Sequence, residues 1–326
     1  MSIKLNIIEY ELALTSLHIT RSIVGGNLYT TLDEYIPGTT LRGALGEKFI
    51  NLYCSDIDYF KRHRCSGCSY VDCIFGKMFL DNEHGRGVYF HFGDIVNRSE
   101  LEKQVITHVT IDRRIKSAVK GRLFSYEVLL PKDADTILVK SRAVIVSQTP
   151  TLVEEKLDDI HKALRDCIKS LIGTAIGGKK SWGVGYVKSV NITNEYEATI
   201  EKEEVDEEVA LVTRTPLPIT EESLDDTVFK ALKDLYFSLF KGTCEFKVKV
   251  DITSDYTLSL MTSWDLAKNR VRDSTYVLMT DKMLLRIKNP APELGVIIKL
   301  LKYIGLCPSG KWFTKTGYGV MEVLES

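Results

Sequence analysis

The feature that most constrains the fold of this chain is a glycine-rich segment that occurs twice. The first copy, Ile172–Val187, reads I-G-T-A-I-G-G-K-K-S-W-G-V-G-Y-V, and the second, Ile304–Met321, reads I-G-L-C-P-S-G-K-W-F-T-K-T-G-Y-G-V-M. Each copy follows a helical pattern, carries lysines and aromatic residues between its glycines, and leads into a strand-like run. Internal similarity at this distance predicts two copies of one supersecondary unit.

The glycine-rich segments fit either a tight turn after a helix or a loop that binds anions. Either copy alone is explained better by a turn, but the shared basic and aromatic pattern favours nucleic-acid binding. The lysines would meet phosphates and the aromatic rings would stack on bases; these residues are Lys179, Lys180, Lys311, Lys315, Trp182, Trp312 and Tyr318. A nucleotide P-loop is excluded, because Lys180 stands where the magnesium-binding hydroxyl belongs and a helix precedes the segment.

Composition restricts the class of protein. Hydrophobic residues make up 44% and charged residues 27% of the 326, as in globular proteins. The formal net charge is −1, so a nucleic-acid surface requires segregated rather than excess basic residues. We expect no membrane segment and no signal peptide, because no run of eighteen apolar residues and no cleavage pattern occur. The sequence therefore predicts a cytoplasmic protein.

Hydrophobic periodicity divides the chain into two similar series of elements. The second series comprises strand Val209–Thr213, helix Leu224–Phe240, strand Glu245–Thr253, hairpin Tyr276–Ile287, helix Pro292–Ile304 and strand Gly319–Leu324. This β-α-β-β-α-β order is ferredoxin-like. The first series has the same order once a cysteine-rich segment and a long β-hairpin are treated as insertions. The sequence predicts an α+β fold with tandem ferredoxin-like, RRM-like domains.

The domain boundary is predicted from a run of acidic residues. Residues 1–194 would form the N-terminal domain with both insertions, and 209–326 the C-terminal domain. Residues 195–208 carry eight acidic side chains and are predicted to be a linker. Each domain is long enough to have a core of its own.

Two further stretches of the first domain are candidates for phosphate contacts. Pro37 and Gly38 introduce a helix that carries Arg42 in its first turns, and a helix N-terminus attracts anions. A hairpin over Val105–Leu130 carries a basic middle, which contains Arg113, Arg114 and Arg122. Solvated surface charge explains either stretch equally well.

Four of the seven cysteines lie close together in the sequence. Cys54, Cys65, Cys68 and Cys73 are spaced C-x10-C-x2-C-x4-C, and the Cys65–Cys68 pair is a good two-ligand turn. His63 or His84 could replace one of the cysteines. Because the expected compartment is reducing, this spacing predicts structural Zn²⁺ rather than disulfides. Reduced cysteines in an irregular loop are the alternative.

Four segments, taken in order, identify a family. They are Tyr35–Gly43, Cys68–Gly76, the run from Ile111 to Phe124, and the doubled glycine-rich segment. In this order they resemble the RAMP superfamily of CRISPR-associated proteins. The doubled segment makes the chain most similar to the two-domain, guide-handle-binding subunit of type III-D effector complexes.

The resemblance implies a guide-RNA (crRNA)-binding structural subunit of a type III effector complex that serves antiviral defence. Its partners would be guide RNA, target RNA and other effector subunits. The residues it assigns to phosphates or bases are Arg42, Lys179, Lys180, Trp182, Lys311, Trp312 and Lys315. The hairpin, or thumb, that enters the guide–target duplex would carry Arg113, Arg114 and Arg122.

The same superfamily contains nucleases, so two enzymatic alternatives stay open. Backbone relatives cleave target RNA with an acidic residue before the Pro-Gly turn. Here Asp33, acting with Mg²⁺, is the nearest candidate, but it stands only four residues before Pro37. A guide-processing endoribonuclease would need a general base and acid without metal. His18 and His108 are candidates for these roles, although neither lies in a motif with Tyr or Lys.

Overall fold

The computed structural model describes residues 2–24, 28–54, 56–63, 65, 68, 73–75, 79, 87–112, 114, 117–147, 154–203, 205–242, 245–261, 264–265, 270–271, 274–291, 293–308 and 314–324. Of the predicted site residues, Arg113, Lys311 and Trp312 lie outside these ranges, as does His84. Arg122 is described only as part of a strand.

The first unit of the chain contains two sheets and helices. Its elements are β1 (Ile3–Leu14), β2 (Thr20–Val24), β3 (Leu28–Thr31), β4 (Tyr35–Ile36), α1 (Gly38–Tyr53), α2 (Ile57–His63), β5 (Gly87–Phe90), β6 (Gly93–Ile95), β7 (Leu101–Asp112), β8 (Ser117–Pro131), β9 (Ile137–Ser147), α3 (Glu154–Lys169) and β10 (Val187–Ile200). The main sheet has the order β10-β1-β9-β6-β4, with β5 also paired to β9, and a second sheet has the order β2-β3-β8-β7.

The second unit repeats much of this arrangement. Its elements are β11 (Glu208–Thr213), β12 (Leu217–Ile219), α4 (Leu224–Phe240), β13 (Lys247–Ile252), β14 (Tyr256–Met261), β15 (Trp264–Asp265), β16 (Arg270–Val271), β17 (Thr275–Thr280), β18 (Met283–Lys288), α5 (Leu294–Ile304) and β19 (Met321–Val323). One sheet has the order β13-β18-β11-β19 and another β12-β17-β14, while β15 pairs with β16. Together the units confirm a mixed α+β protein built mainly on antiparallel sheets.

Strand β1 is apolar on both of its faces, and this places two hydrophobic cores. Successive side chains of a strand point to opposite faces. Ile8, Tyr10 and Leu12 therefore pack on one face with α1 and α3, in the first core. Ile3 and Leu5 pack on the other face, in a second core that also contains residues of α4 and α5.

The second core belongs to both units. Its first-unit members come from β1, β5, β9 and β10, and its second-unit members include Leu232 of α4 and Ile297 of α5. The main sheet is thus covered by its own helices on one face and by the second unit on the other. The sequence predicts a separate core for each domain, whereas here the units share one.

The structure corrects the predicted acidic linker. Strand β10 continues to Ile200 and pairs with β1 along its whole length, so residues 195–200 belong to the main sheet. Tyr196 and Ala198 pack against the second core, and Ile200 is buried in it. The acidic run conceals an apolar residue at every second position, which is the pattern of a half-buried strand.

His91 is buried where the two units meet. Its Nε2 lies 2.5 Å from the carbonyl oxygen of Tyr303 in α5, to which it donates. Burial, together with the charge of nearby Arg142, lowers the pKa of His91 to about 3. The ring is therefore neutral in the folded protein at physiological pH.

Among the described residues, no helix combines the length and hydrophobicity needed to cross a membrane.

We predict that His91 makes stability depend on pH. Because its folded pKa is about 3 and an unfolded histidine titrates near 6.5, the unfolded chain takes up the proton first as the pH falls. The stabilising contribution of the neutral ring is complete above about pH 6.5 and is lost as the pH falls towards 3. By pH 5 the loss in the free energy of unfolding is about 2 kcal/mol. Urea unfolding between pH 7 and pH 5 should show a smaller loss for His91→Gln than for wild type. Equal losses would contradict the prediction.

Candidate nucleic-acid interface

The first glycine-rich segment forms a loop closed at its base by the main chain. The Ile176 amide donates to the Gly185 carbonyl at 2.8 Å, and the Val187 amide donates to the Thr174 carbonyl at 2.8 Å. The Gly178 amide donates to the His18 carbonyl at 2.8 Å, which ties the loop to the start of β2. The loop therefore has a fixed position on the first unit.

At the tip of this loop the chain makes a short 3-10 turn. The turn spans Lys180–Trp182 and is preceded by Lys179, whose φ of 59° is left-handed. A non-glycine residue in this region costs about 1 kcal/mol or more and persists only where surrounding contacts hold it. Contacts between the Lys179 ammonium and neighbouring aromatic rings hold the residue in this conformation.

Trp182 lies on a group of rings in the middle of the β7–β8 hairpin. Its ring stacks on His108 with centroids 4.4 Å apart and planes 22° apart. Phe124 and Tyr126 lie 5.7 Å and 5.3 Å from the same ring. We call Tyr29, His108, Phe124, Tyr126 and Trp182 the aromatic cluster. One face of the loop is thus packed on the hairpin, while Trp182 keeps 44% of its surface exposed.

The two adjacent lysines of the loop have different surroundings. The Lys179 ammonium lies 4.8 to 5.2 Å from the ring centres of Tyr29, Phe124, Tyr126 and Trp182. Burial lowers the pKa of Lys179. Lys180 is exposed and lies 3.9 Å from the carboxylate of Glu47, which is itself 70% exposed. An ion pair this exposed contributes little, so Lys180 is available to another anion.

Register explains why the sequence did not reveal the aromatic cluster. His108 stands opposite Phe124 on β7 and β8, and Ile106 stands opposite Tyr126. Phe124 and Tyr126 are two residues apart and therefore share a face, which the sequence does show. Pairing that face with His108, and then with a loop more than fifty residues later, depends on tertiary contacts.

His18 and His108, the candidates for metal-free RNA cleavage, both have structural contacts. His18 is fully buried, and its Nδ1 and Nε2 lie 2.6 Å and 2.9 Å from the Glu127 carbonyl and the Thr20 hydroxyl. Burial lowers the pKa of His18, which keeps the ring neutral. His108 is stacked within the aromatic cluster.

The β7–β8 hairpin has the form expected of the predicted thumb. Its strands pair from Leu101 with Pro131 to Asp112 with Ser117. Arg114 is exposed in the turn between them. The outward face of the same hairpin carries three apolar side chains that are each about half exposed, Val105, Val109 and Leu123.

The second glycine-rich segment is turned inward. Lys315 is only 2% exposed, and its carbonyl accepts a hydrogen bond from the Phe90 amide at 2.9 Å. A Cβ on Gly317 would lie 2.8 Å from the Cα of His91. Tyr318, which the sequence presents as a stacking face, is buried against Phe92. In this copy the described residues form a contact between units, so Lys315 is not part of the candidate surface.

The predicted anion site at the start of α1 is also covered. A Cβ on Gly38 would lie 2.0 Å from the Thr316 carbonyl oxygen, so the second glycine-rich segment sits against the first turn. Arg42 is half-buried and donates to the carbonyl of Phe79. Burial lowers its pKa. The contact indicates a structural use of this guanidinium.

Asp33, the candidate for target cleavage, is ion-paired. Its carboxylate lies 2.8 Å from the ammonium of Lys103 on β7, and each side chain is a little over one third exposed. The Glu34 carbonyl accepts a hydrogen bond from Arg98 at 2.8 Å. The pair therefore connects the loop before α1 to the base of the hairpin.

The four clustered cysteines influence one another without forming a tetrahedron. The Cys68 amide donates to the Cys65 carbonyl at 3.3 Å, consistent with a turn between them. Burial, and then the charges of Cys68, Cys73 and Cys54, raise the pKa of the Cys65 thiol. Within the described part of the chain, however, no three His, Cys, Asp or Glu side chains converge as metal ligands do. The thiol donor set suits Zn²⁺, but the arrangement is more open than a bound site.

Comparison with known proteins places this fold and loop in a family. The model of the RAMP superfamily matches residues 13–188, and the chain belongs to this superfamily. The matched region contains the hairpin, the aromatic cluster and the first glycine-rich loop. No curated protein sequence matches the chain.

Two solved structures illustrate the similarity. One is a chain of the type III-B Cmr-beta complex bound to cognate target RNA and AMPPnP, with 11% identity, a TM-score of 0.40, and 91% of this chain and 88% of that chain covered. The other is described as a RAMP protein binding different RNA substrates, with 11% identity, a TM-score of 0.44, and 98% and 100% covered.

We predict that the two glycines at the end of the first loop differ sharply in tolerance. Both have a φ near +80°, but a Cβ at Gly183 meets nothing within 4 Å, whereas one at Gly185 would lie 1.9 Å from the Ile176 carbonyl oxygen. Gly183→Ala should cost about 1 kcal/mol, the usual penalty for a left-handed residue. Gly185→Ala should cost about 3 kcal/mol or more, because the loop base must move. Similar urea midpoints for the two variants would contradict this.

Proposed function

We propose that this chain is a guide-RNA-binding, structural subunit of a type III CRISPR effector complex. The observation that carries the proposal is the first glycine-rich loop, which places exposed Lys180 and Trp182 beside the thumb-like hairpin of a RAMP superfamily member. Charge and exposed ring meet on one surface, as single-stranded nucleic-acid sites require. The partners would be guide RNA, target RNA and neighbouring effector subunits.

The finer assignment is the two-domain subunit that holds the 5′ handle of the guide in type III-D complexes. Strand order supports two ferredoxin-like units in tandem, since β10-β1-β9-β5 and β19-β11-β18-β13 each place the unit's fourth, first, third and second strands side by side. The boundary then falls between β10 and β11 rather than at 194. Antiviral defence in the cytoplasm follows from the same proposal.

We favour binding over cleavage. Asp33, which would have to hold Mg²⁺ for target cleavage, is already paired with Lys103. His18 and His108 would have to exchange protons in guide processing. His18 is instead hydrogen-bonded to the Glu127 carbonyl, and His108 is stacked on Trp182. Both cleavage reactions remain outcomes that the experiment below can detect.

The test is to purify the tagged chain from its native host and sequence the RNA that accompanies it. Guides that share one 5′ handle, together with related subunits, are the expected result; a free monomer without RNA would overturn the proposal. Cleavage of target RNA with Mg²⁺ that is lost in Asp33→Ala would identify a backbone nuclease instead. Cleavage of precursor RNA in EDTA would identify a processing enzyme.

The contribution of the loop has a matched control. Lys180→Ala should weaken binding of guide RNA by the purified chain, because it removes an exposed charge beside Trp182. Lys249→Ala removes the same charge from an exposed position on β13 and should leave binding unchanged. Filter binding at fixed salt compares them, since affinity depends on salt concentration. Equal effects would show that only net charge matters.

We also propose that Cys54, Cys65, Cys68 and Cys73 bind one structural Zn²⁺. The grouping of the four thiols supports this, because burial and then repulsion from Cys68, Cys73 and Cys54 raise the pKa of the Cys65 thiol, and a bound cation would favour its thiolate form. Binding would deprotonate the thiols and draw them together. The ion would then hold in place a segment that begins at the end of α1.

Metal analysis tests the zinc proposal. The purified chain should contain about one zinc per molecule, and Cys68→Ser should lose it. Cys167→Ala removes a buried thiol outside the group and should keep the zinc. A chelator should lower the unfolding temperature of wild type but not of Cys68→Ser. Zinc-free wild type purified without chelator would contradict the proposal.

A further inference from the structure

The first glycine-rich loop contains two neighbouring lysines with different roles available to them. From their surroundings we propose that the exposed face of Trp182 is a stacking platform for one unpaired RNA base, that Lys179 positions this ring, and that Lys180 contacts the adjoining phosphate. The inference rests on the proposed RNA-binding function. It assigns separate tasks to residues that the sequence pattern treats as equivalent.

The first step concerns which face of Trp182 is open. Its inner face stacks on His108 at 4.4 Å. The ring nevertheless keeps 44% of its surface exposed. A large aromatic side chain that is packed on one side and this exposed presents its other side to solvent. Its orientation is fixed by the hairpin, so little rotamer entropy remains to be lost when a base stacks on it.

The second step concerns the position of Lys179. Its ammonium is 4.8 Å from the Trp182 ring centre and 5.2 Å from both Phe124 and Tyr126. These rings are themselves 5.3 to 5.7 Å from Trp182, so the ammonium is on the hairpin side of the indole rather than on its open face. Cation–π attraction to several rings holds it there. Lys179 is partly buried in this position, so a phosphate would compete with those contacts.

The third step concerns the open side. Lys180 is 45% exposed, and its only described ion pair is the loose 3.9 Å contact with Glu47. Gly183 follows Trp182 and borders open space, because a Cβ added to it would have no atom within 4 Å. A base on the outer face of Trp182 would therefore have room, with a cation beside its backbone.

The chemistry of the site selects single-stranded RNA with a free base. Every base has a π-face, so stacking on Trp182 tolerates sequence but requires that the base is present and unpaired. A site built on phosphate contacts alone would bind an abasic ribose-phosphate chain equally well. The ratio of the affinity for RNA to the affinity for the abasic chain therefore measures how much stacking on Trp182 contributes to binding.

The experiment compares oligoadenylate of about 16 nucleotides, near the upper end of single-strand site sizes, with an abasic ribose-phosphate oligomer of the same length. Dissociation constants are measured for the full-length chain and its variants at several salt concentrations. Wild type should prefer oligoadenylate. Trp182→Ala should reduce that preference about tenfold, the size expected for one stacked base, and Trp182→Phe should keep part of it.

The lysine variants separate positioning from phosphate contact. Lys179→Ala should reduce the base preference with little change in the salt slope, and Lys179→Arg should restore it by keeping a cation among the rings. Lys180→Ala should keep the base preference and flatten the salt slope by about 0.7, the value for one contact to a single strand. Circular dichroism checks that each variant is folded.

Three results would overturn the inference. If wild type binds RNA but Trp182→Ala keeps the full base preference, Trp182 only packs on the hairpin and the proposed function survives. If Lys179→Ala behaves as Lys180→Ala does, Lys179 contacts phosphate and does not position the ring, and the proposed function again survives. If wild type binds neither oligomer, the inference and the proposed function fail together.

Discussion

The arrangement of this protein depends on burial of its first strand from both sides. Ile8, Tyr10 and Leu12 bury one face of β1 beneath α1 and α3, and Ile3 and Leu5 bury the other beneath the second unit. Burial of several large side chains on each face contributes about 1.5–3 kcal/mol per residue. A sheet covered on both faces cannot separate from the second unit without exposing apolar surface. The two units therefore form one continuous hydrophobic structure.

This shared core explains why two similar glycine-rich segments have opposite environments. The second unit covers the back of the main sheet, and its own glycine-rich segment then lies where the units meet, against Gly38 and His91. Close approach of main chains there requires glycine at 38 and 317. The first segment leaves the far end of α3, away from that contact, and meets the hairpin instead. Similar local sequence thus produces an internal contact in one copy and an exposed surface in the other.

The sequence predicts the elements well because they depend on local patterns. Helix α4 begins at Leu224 and ends at Phe240 as its periodicity indicates, and the observed hairpin Leu101–Pro131 contains the predicted range Val105–Leu130. Burial of Lys315 could not be predicted, since no local pattern distinguishes it from Lys179. The strand character of residues 195–200 was hidden because glutamates mask the alternation of Tyr196 and Ala198. Partners that are distant in the sequence decide both of these features.

The distribution of charge gives the site its character. With a formal net charge of −1, the chain cannot attract RNA by overall charge. In the second unit, basic side chains such as Arg286 and Lys230 are paired with acidic neighbours at 2.7 Å. At the first loop, Lys179 is partly buried among rings, so even this basic segment presents less charge than its sequence suggests. Affinity there must come from an oriented aromatic surface and a few well-placed cations, and a surface of this kind distinguishes an unpaired strand from a duplex better than a diffuse basic patch does.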